Sequence, residues 1–158
     1  VATVNLKINN AQTTKINYME TTNYVIAEEL AINEFKSFYK IFVRKPFKDE
    51  EQFIDDFFAP IEAIKLGNLY FDDGKPVLTL EKPIKNTEGG IVLSEIKLKT
   101  RVPVGTMKNL TQGLTMPKDQ IEMSIRLIAY LINQPAVMLD KIENFDLEVI
   151  NKLAGVFL

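Results

Sequence analysis

Residues 95–158 read EIKLKTRVPVGTMKNLTQGLTMPKDQIEMSIRLIAYLINQPAVMLDKIENFDLEVINKLAGVFL, and this stretch decides the fold. Ile96 and Leu98 alternate with Lys97 and Lys99, the two-residue period of a half-buried strand. Pro103-Val104-Gly105-Thr106 turns the chain into a short helix around Met107–Leu110, which Gly113 ends. Pro117 suits the first turn of the next helix, with Asp119 beside it. In that helix Ile121, Ile125, Ile128 and Ile132 recur at helical spacing, and Leu127 and Leu131 widen the stripe. Pro135 breaks it. Asn144 is placed to cap a last helix carrying Leu147, Ile150, Leu153, Ala154 and Phe157 on one side.

Working back towards the N-terminus, residues 91–100 form a long strand after the loop Asn86–Gly90. Residues 76–80 read as its neighbour, ended by Pro83, and Asp72-Asp73-Gly74-Lys75 supplies the turn from a strand over 68–71. Asp49 opens a helix with an acidic first turn and an apolar face of Phe53, Ile54, Phe57, Phe58, Ile61 and Ile64. Pro60 predicts a kink there, or two short helices, and Gly67 and Asn68 end it. Ala27, Ala31, Phe35, Phe38 and Phe42 set a helix running to about Lys40, with a strand over 38–44 as the alternative. Residues 2–8 and 13–18 read as a hairpin. The class is α+β: an N-terminal hairpin plus helices, central β-hairpins and a C-terminal three-helix segment. No Ser/Gly/Pro linker separates residues 1–75 from 76–158, so two parts and one continuous domain are both compatible with the chain.

Composition removes whole classes of chemistry. Cysteine and histidine are both absent, which excludes thiolate or imidazole metal sites, disulfides, and Ser-His-Asp or Cys-His catalysis. The expectation is a protein without enzymatic activity, metal or cofactor. Residues 1–75 carry net -3 (9 basic, 12 acidic) and residues 76–158 net +1 (10 basic, 9 acidic), an asymmetry too small to imply nucleic acid. Neither a signal-like apolar run in the first twenty residues nor a run of about 18 apolar residues elsewhere is present, so no membrane association is expected.

Several clusters are candidates for chemistry. Asp49, Glu50, Glu51, Asp55 and Asp56 could offer oxygens to a hard cation, but a carboxylate-rich helix start more often complements the helix dipole. Asp72-Asp73-Gly74 has the composition of a hairpin turn, and Gly89-Gly90 lacks the spacing of a phosphate loop. Lys97, Lys99 and Arg101 alternate on one strand face, as a basic stripe for RNA or an acidic partner, or as the solvated face of an edge strand. No base-stacking aromatics are interleaved with them, which weakens the RNA reading. Phe35, Phe38, Phe42, Phe47, Phe53, Phe57 and Phe58 are mostly core, with a partner groove as the alternative, because adjacent Phe57 and Phe58 cannot both face one core.

Residues 76–158 resemble the small tail assembly chaperones of Mu-like, contractile-tailed phages. The matching phrases are Leu80-Glu81-Lys82-Pro83-Ile84, Leu98-Lys99-Thr100-Arg101-Val102-Pro103, Arg126-Leu127-Ile128-Ala129, Pro135, Leu139-Asp140-Lys141-Ile142, Asp146-Leu147 and Phe157. Residues 1–75 depart from that pattern. The resemblance implies a chaperone that binds the tape-measure protein in the host cytoplasm and yields as tail-tube subunits polymerise. The alternative is a structural subunit of the tail, in the tube, tail end or baseplate, forming rings and remaining in the virion. A protein partner follows in either case, the tape-measure protein or tube subunits, and a homo-oligomer is compatible with both. Ile128, Leu131, Ile132, Leu139, Leu153 and Phe157 are the candidate partner-binding residues for a helix-in-groove mode, joined by Lys97, Lys99 and Arg101.

Overall fold

The computed structural model describes residues 23–157. Helices α1 (Glu28–Phe42), α2 (Glu50–Asp56) and α3 (Phe58–Lys65) come first. An antiparallel sheet follows, with β1 (Leu69–Asp72), β2 (Lys75–Lys85) and β3 (Ile91–Lys97) in the order β1-β2-β3. Next come α4 (Val104–Thr111), α5 (Gln120–Ile132), a 3₁₀ helix (Ala136–Lys141) and α6 (Asn144–Phe157). The fold is α+β. The hairpin expected over residues 2–18 lies outside the described residues.

Local chemistry accounts for most of the boundaries. In α1 the buried Ala31, Phe35 and Phe38 follow the helical period. The helix continues past Lys40, since the Val43 N–H still reaches the Tyr39 carbonyl at 2.9 Å, and no strand forms over 38–44. Asp49 caps α2, its Oδ1 accepting from the backbone N–H of Glu51 at 2.9 Å and Gln52 at 3.4 Å. The break between α2 and α3 falls at Phe57, not at Pro60. Pro60 sits in the first turn of α3, where an N–H would have no intrahelical partner, so the proline helps start a helix instead of bending one. The break separates the two adjacent rings: Phe57 is half-buried and Phe58 is exposed. Gly67, at φ +75°, closes α3 with paired bonds, Gly67 N–H to Ile64 O and Asn68 N–H to Ala63 O.

Asp73 and Gly74, both at positive φ, make the two-residue turn between β1 and β2. Pro83 does not end β2, as its type suggests; the strand runs to Lys85. Pairing with β1 stops at Leu78, and the register with β3 shifts between Thr79 and Ile84. The missing N–H of Pro83 therefore falls in an irregular, one-sided part of the ladder, where it is tolerated. Two more boundaries move. Helix α4 begins directly after Pro103, earlier than its apolar residues indicate. Helix α5 begins at Gln120, leaving Pro117 in the preceding turn, because Asp119 closes that turn: its Oδ2 accepts from Thr115 N–H at 2.7 Å.

The row Leu69, Leu78 and Ile96 crosses the sheet on its inner face and is fully buried. Against it lie α1, α3 and α6 in one core that includes Phe35, Phe53, Ile64, Ile150 and Leu153. Residues from both 1–75 and 76–158 thus share this core. The phenylalanines interlock across it: Phe35 and Phe57 rings lie 5.1 Å apart, and Phe38 stacks on Phe71 at 4.3 Å. Leu127, Leu131 and Ala154 form a smaller cluster, with Val102, Met107, Leu110, Tyr130 and Phe157 packed around it. The outer face of the sheet carries exposed Tyr70, Asp72, Lys75, Glu95 and Lys97 beside the buried Val77.

Candidate functional site

Beyond Lys97 the chain continues the line of β3 towards the end of α5. The Leu98 N–H donates to Pro76 O at 2.9 Å, and the Lys99 N–H donates to Leu131 O at 2.8 Å. That second acceptor belongs to the last turn of α5, whose carbonyls lack intrahelical donors. Ile96 and Leu98 are buried, while Lys97, Lys99 and Arg101 are directed to the other side and line an open recess of about 490 Å³ with Lys75, Pro103, Tyr130 and Asn133. A second recess of about 460 Å³ shares Lys99, Tyr130 and Asn133 and adds Arg126. Neither recess has an Asp or Glu in its lining.

The cations differ in how they are held. Lys97 Nζ lies 2.6 Å from Asp72 Oδ2, and this hydrogen bond raises the lysine pKa and lowers that of the aspartate. Lys99 Nζ donates to Asn133 Oδ1 at 2.9 Å and sits 4.1 Å from the centroid of the Tyr130 ring, both neutral partners. It also stands at the C-terminal, negative end of the α5 dipole, with Asn133 as the left-handed C-cap at φ 54°. Arg126 pairs with Glu122 at 2.8 Å and donates to the carbonyls of Leu110 and Gln112, tying the end of α4 to α5. Arg101 is exposed and has no ion-pair partner among the described residues. Such a set can hold a carboxylate or phosphate; it contains no nucleophile–base pair.

The apolar residues assigned from sequence to a partner lie mostly inside. Leu131 and Leu153 are fully buried, and Ile132 and Leu139 nearly so, because α5, the 3₁₀ helix and α6 turn this stripe into the core. A partner on the folded surface does not reach these four. Ile128 is half-buried at a cleft of about 200 Å³ beside Leu127, Ala154 and Gly155. Phe157, also half-buried, packs edge-on to Phe42 at 5.1 Å. The exposed large apolar side chains of this half are instead Ile91, Val92, Val104, Met116, Ile121 and Val137. The acidic residues around α2 spread along the helix, and no group of three or more carboxylates among the described residues could hold a metal ion. No described helix is long and apolar enough to cross a membrane.

One buried charge was not legible in the sequence. Asp146, in the first turn of α6, is 1% exposed; its Oδ2 accepts from the Glu81 N–H at 3.0 Å, and its Oδ1 has no partner among the described residues. Burial pushes its pKa up to about 6, opposed by the Glu81 hydrogen bond and reinforced by the charges of Glu81 and Glu143. Lys82 and Glu143 bridge the same junction of β2 and α6 at 3.0 Å from the surface.

Comparison with protein-family models, curated proteins and solved structures gives no significant match.

Proposed function

We propose that the chain is a non-enzymatic binding protein that serves as a phage tail assembly chaperone, keeping the tape-measure protein soluble in the host cytoplasm until tube subunits replace it. The observation that carries this reading is the way the chaperone-like phrases meet. Leu80–Ile84 lies on β2, Arg126–Ala129 on α5, Leu139–Ile142 at the 3₁₀ helix and Asp146-Leu147 in α6. The first and a late phrase are joined directly by the hydrogen bond from Glu81 N–H to Asp146 Oδ2. Phrases that are short and separate in sequence therefore serve one packed unit, which is what a shared module requires.

The surface of that unit suits a long amphipathic partner. Exposed Val104, Met116, Ile121 and Val137 offer apolar contacts, and the recess at Lys99 and Arg101 offers charge. The test is co-expression with the tape-measure protein encoded in the same genome. The chaperone reading requires that the tape-measure protein move from the insoluble to the soluble fraction and co-purify with this chain. A tape-measure protein that stays insoluble, with this chain recovered in stoichiometric amounts from mature virions, supports a tail structural subunit instead.

A further inference from the structure

The recess at Tyr130 holds cations without counter-charges, and what it recognises can be argued from their spacing; the argument rests on reading the chain as a binding protein. Of the five cationic side chains lining the two recesses, Lys97 is taken by Asp72 and Arg126 by Glu122. Lys75, Lys99 and Arg101 have no carboxylate partner among the described residues. The Lys99 ammonium spends one donor on Asn133 and is held in place over Tyr130, so it is oriented before any ligand arrives.

We infer that this recess binds an extended acidic segment of a partner protein, with carboxylates at alternate positions. Lys99 and Arg101 lie two residues apart just beyond the end of β3, and two residues of extended chain span about 7 Å, which is the repeat of same-face side chains in an extended peptide. Pro103 and the Tyr130 ring supply apolar surface between the charges. Beside the recess the Lys99 N–H is already bonded to Leu131 O, so such a segment is held through its side chains. Single-stranded nucleic acid fits less well. Tyr130 is the one aromatic side chain lining either recess, and Lys99 already covers its ring.

Fluorescence anisotropy with the full chain, at ~50 mM salt to limit screening, tests this with three probes. They are a short labelled peptide alternating Glu and Thr, the same peptide with Gln for Glu, and a single-stranded RNA of matching length. The Glu peptide binds and the Gln peptide does not. Lys99→Glu combined with Arg101→Glu weakens the Glu peptide by about tenfold or more, and so, to a lesser degree, does Arg101→Glu alone, whose side chain is exposed and makes no ion pair among the described residues. Lys118→Glu, at an exposed position outside both linings, leaves binding unchanged. Equal binding of the two peptides, tighter binding of RNA, or a double variant that binds like the parent overturns the inference. No peptide binding while the tape-measure protein is still held soluble overturns this inference alone; loss of both overturns the binding reading with it.

Discussion

The buried carboxylate of Asp146 makes a quantitative prediction about stability and pH. Its pKa in the folded chain is about 6 against an ordinary 3.8, so the folded state holds this proton more tightly than the unfolded state does. The stabilisation from protonation is therefore complete below about pH 4 and is lost as pH rises through about 6. At about 1.4 kcal/mol per tenfold change in proton affinity, the ionised form destabilises the fold by about 3 kcal/mol at neutral pH relative to the protonated form. Asp146→Asn keeps an oxygen for the Glu81 N–H and removes the ionisation. Urea unfolding of the parent and the variant across the same pH range isolates this group, because the other carboxylates cancel in the difference. Between about pH 4.5 and 7.5 the parent should lose about 2 kcal/mol relative to Asp146→Asn. Parallel stability curves for the two chains would refute the argument, showing that the carboxylate is solvated in the folded state.

Substitutions at three further positions probe the fold. Phe35→Ala empties a fully buried site bordered by the rings of Phe38, Phe53 and Phe57, and should cost about 3–5 kcal/mol in chemical unfolding. Asp49→Ala removes the α2 cap and should cost about 1 kcal/mol, whereas Asp49→Asn should cost a few tenths or less. Gly67→Ala should cost about 1–2 kcal/mol from its positive φ alone, since the added methyl meets only ordinary contact with Val25 at 3.7 Å. A drop for Gly67→Ala no larger than for an exposed helical Ala substitution would remove the left-handed closure of α3 from the account.

What was legible in the sequence was local. The Asp49 cap, the Asp73-Gly74 turn, the Gly67 stop and the Pro135 break each depend on the chemistry of a few adjacent residues. The class and the helix and strand assignments from Glu28 onward follow from those signals and from apolar periodicity. Which side of α5 lies inside did not follow. Ile121 shares the isoleucine period yet is 78% exposed, while Leu127 and Leu131 are buried where Met107, Leu110 and Phe157 pack around them. A stripe that wide has no unique inner edge until its neighbours are placed. The same cause moved Leu131, Ile132, Leu139 and Leu153 from a candidate docking surface into the core. The basic stripe was legible as alternation along β3 and its continuation, but Tyr130 and Asn133 join it through tertiary contacts, the Lys99–Leu131 backbone bond and the Lys99 side chain against both residues. Asp146 reads locally as an acid at a helix start; its hydrogen-bond partner, the Glu81 N–H, is 65 residues away in the chain.

The proposed role is to bind a long partner in many copies. Its most direct test is the mass, by size-exclusion chromatography with light scattering, of the soluble complex recovered after co-expression with the tape-measure protein. The account predicts one complex whose mass corresponds to many copies of this chain on each tape-measure chain. Separate elution of the two proteins, with this chain alone in a discrete ring or tube, would contradict it.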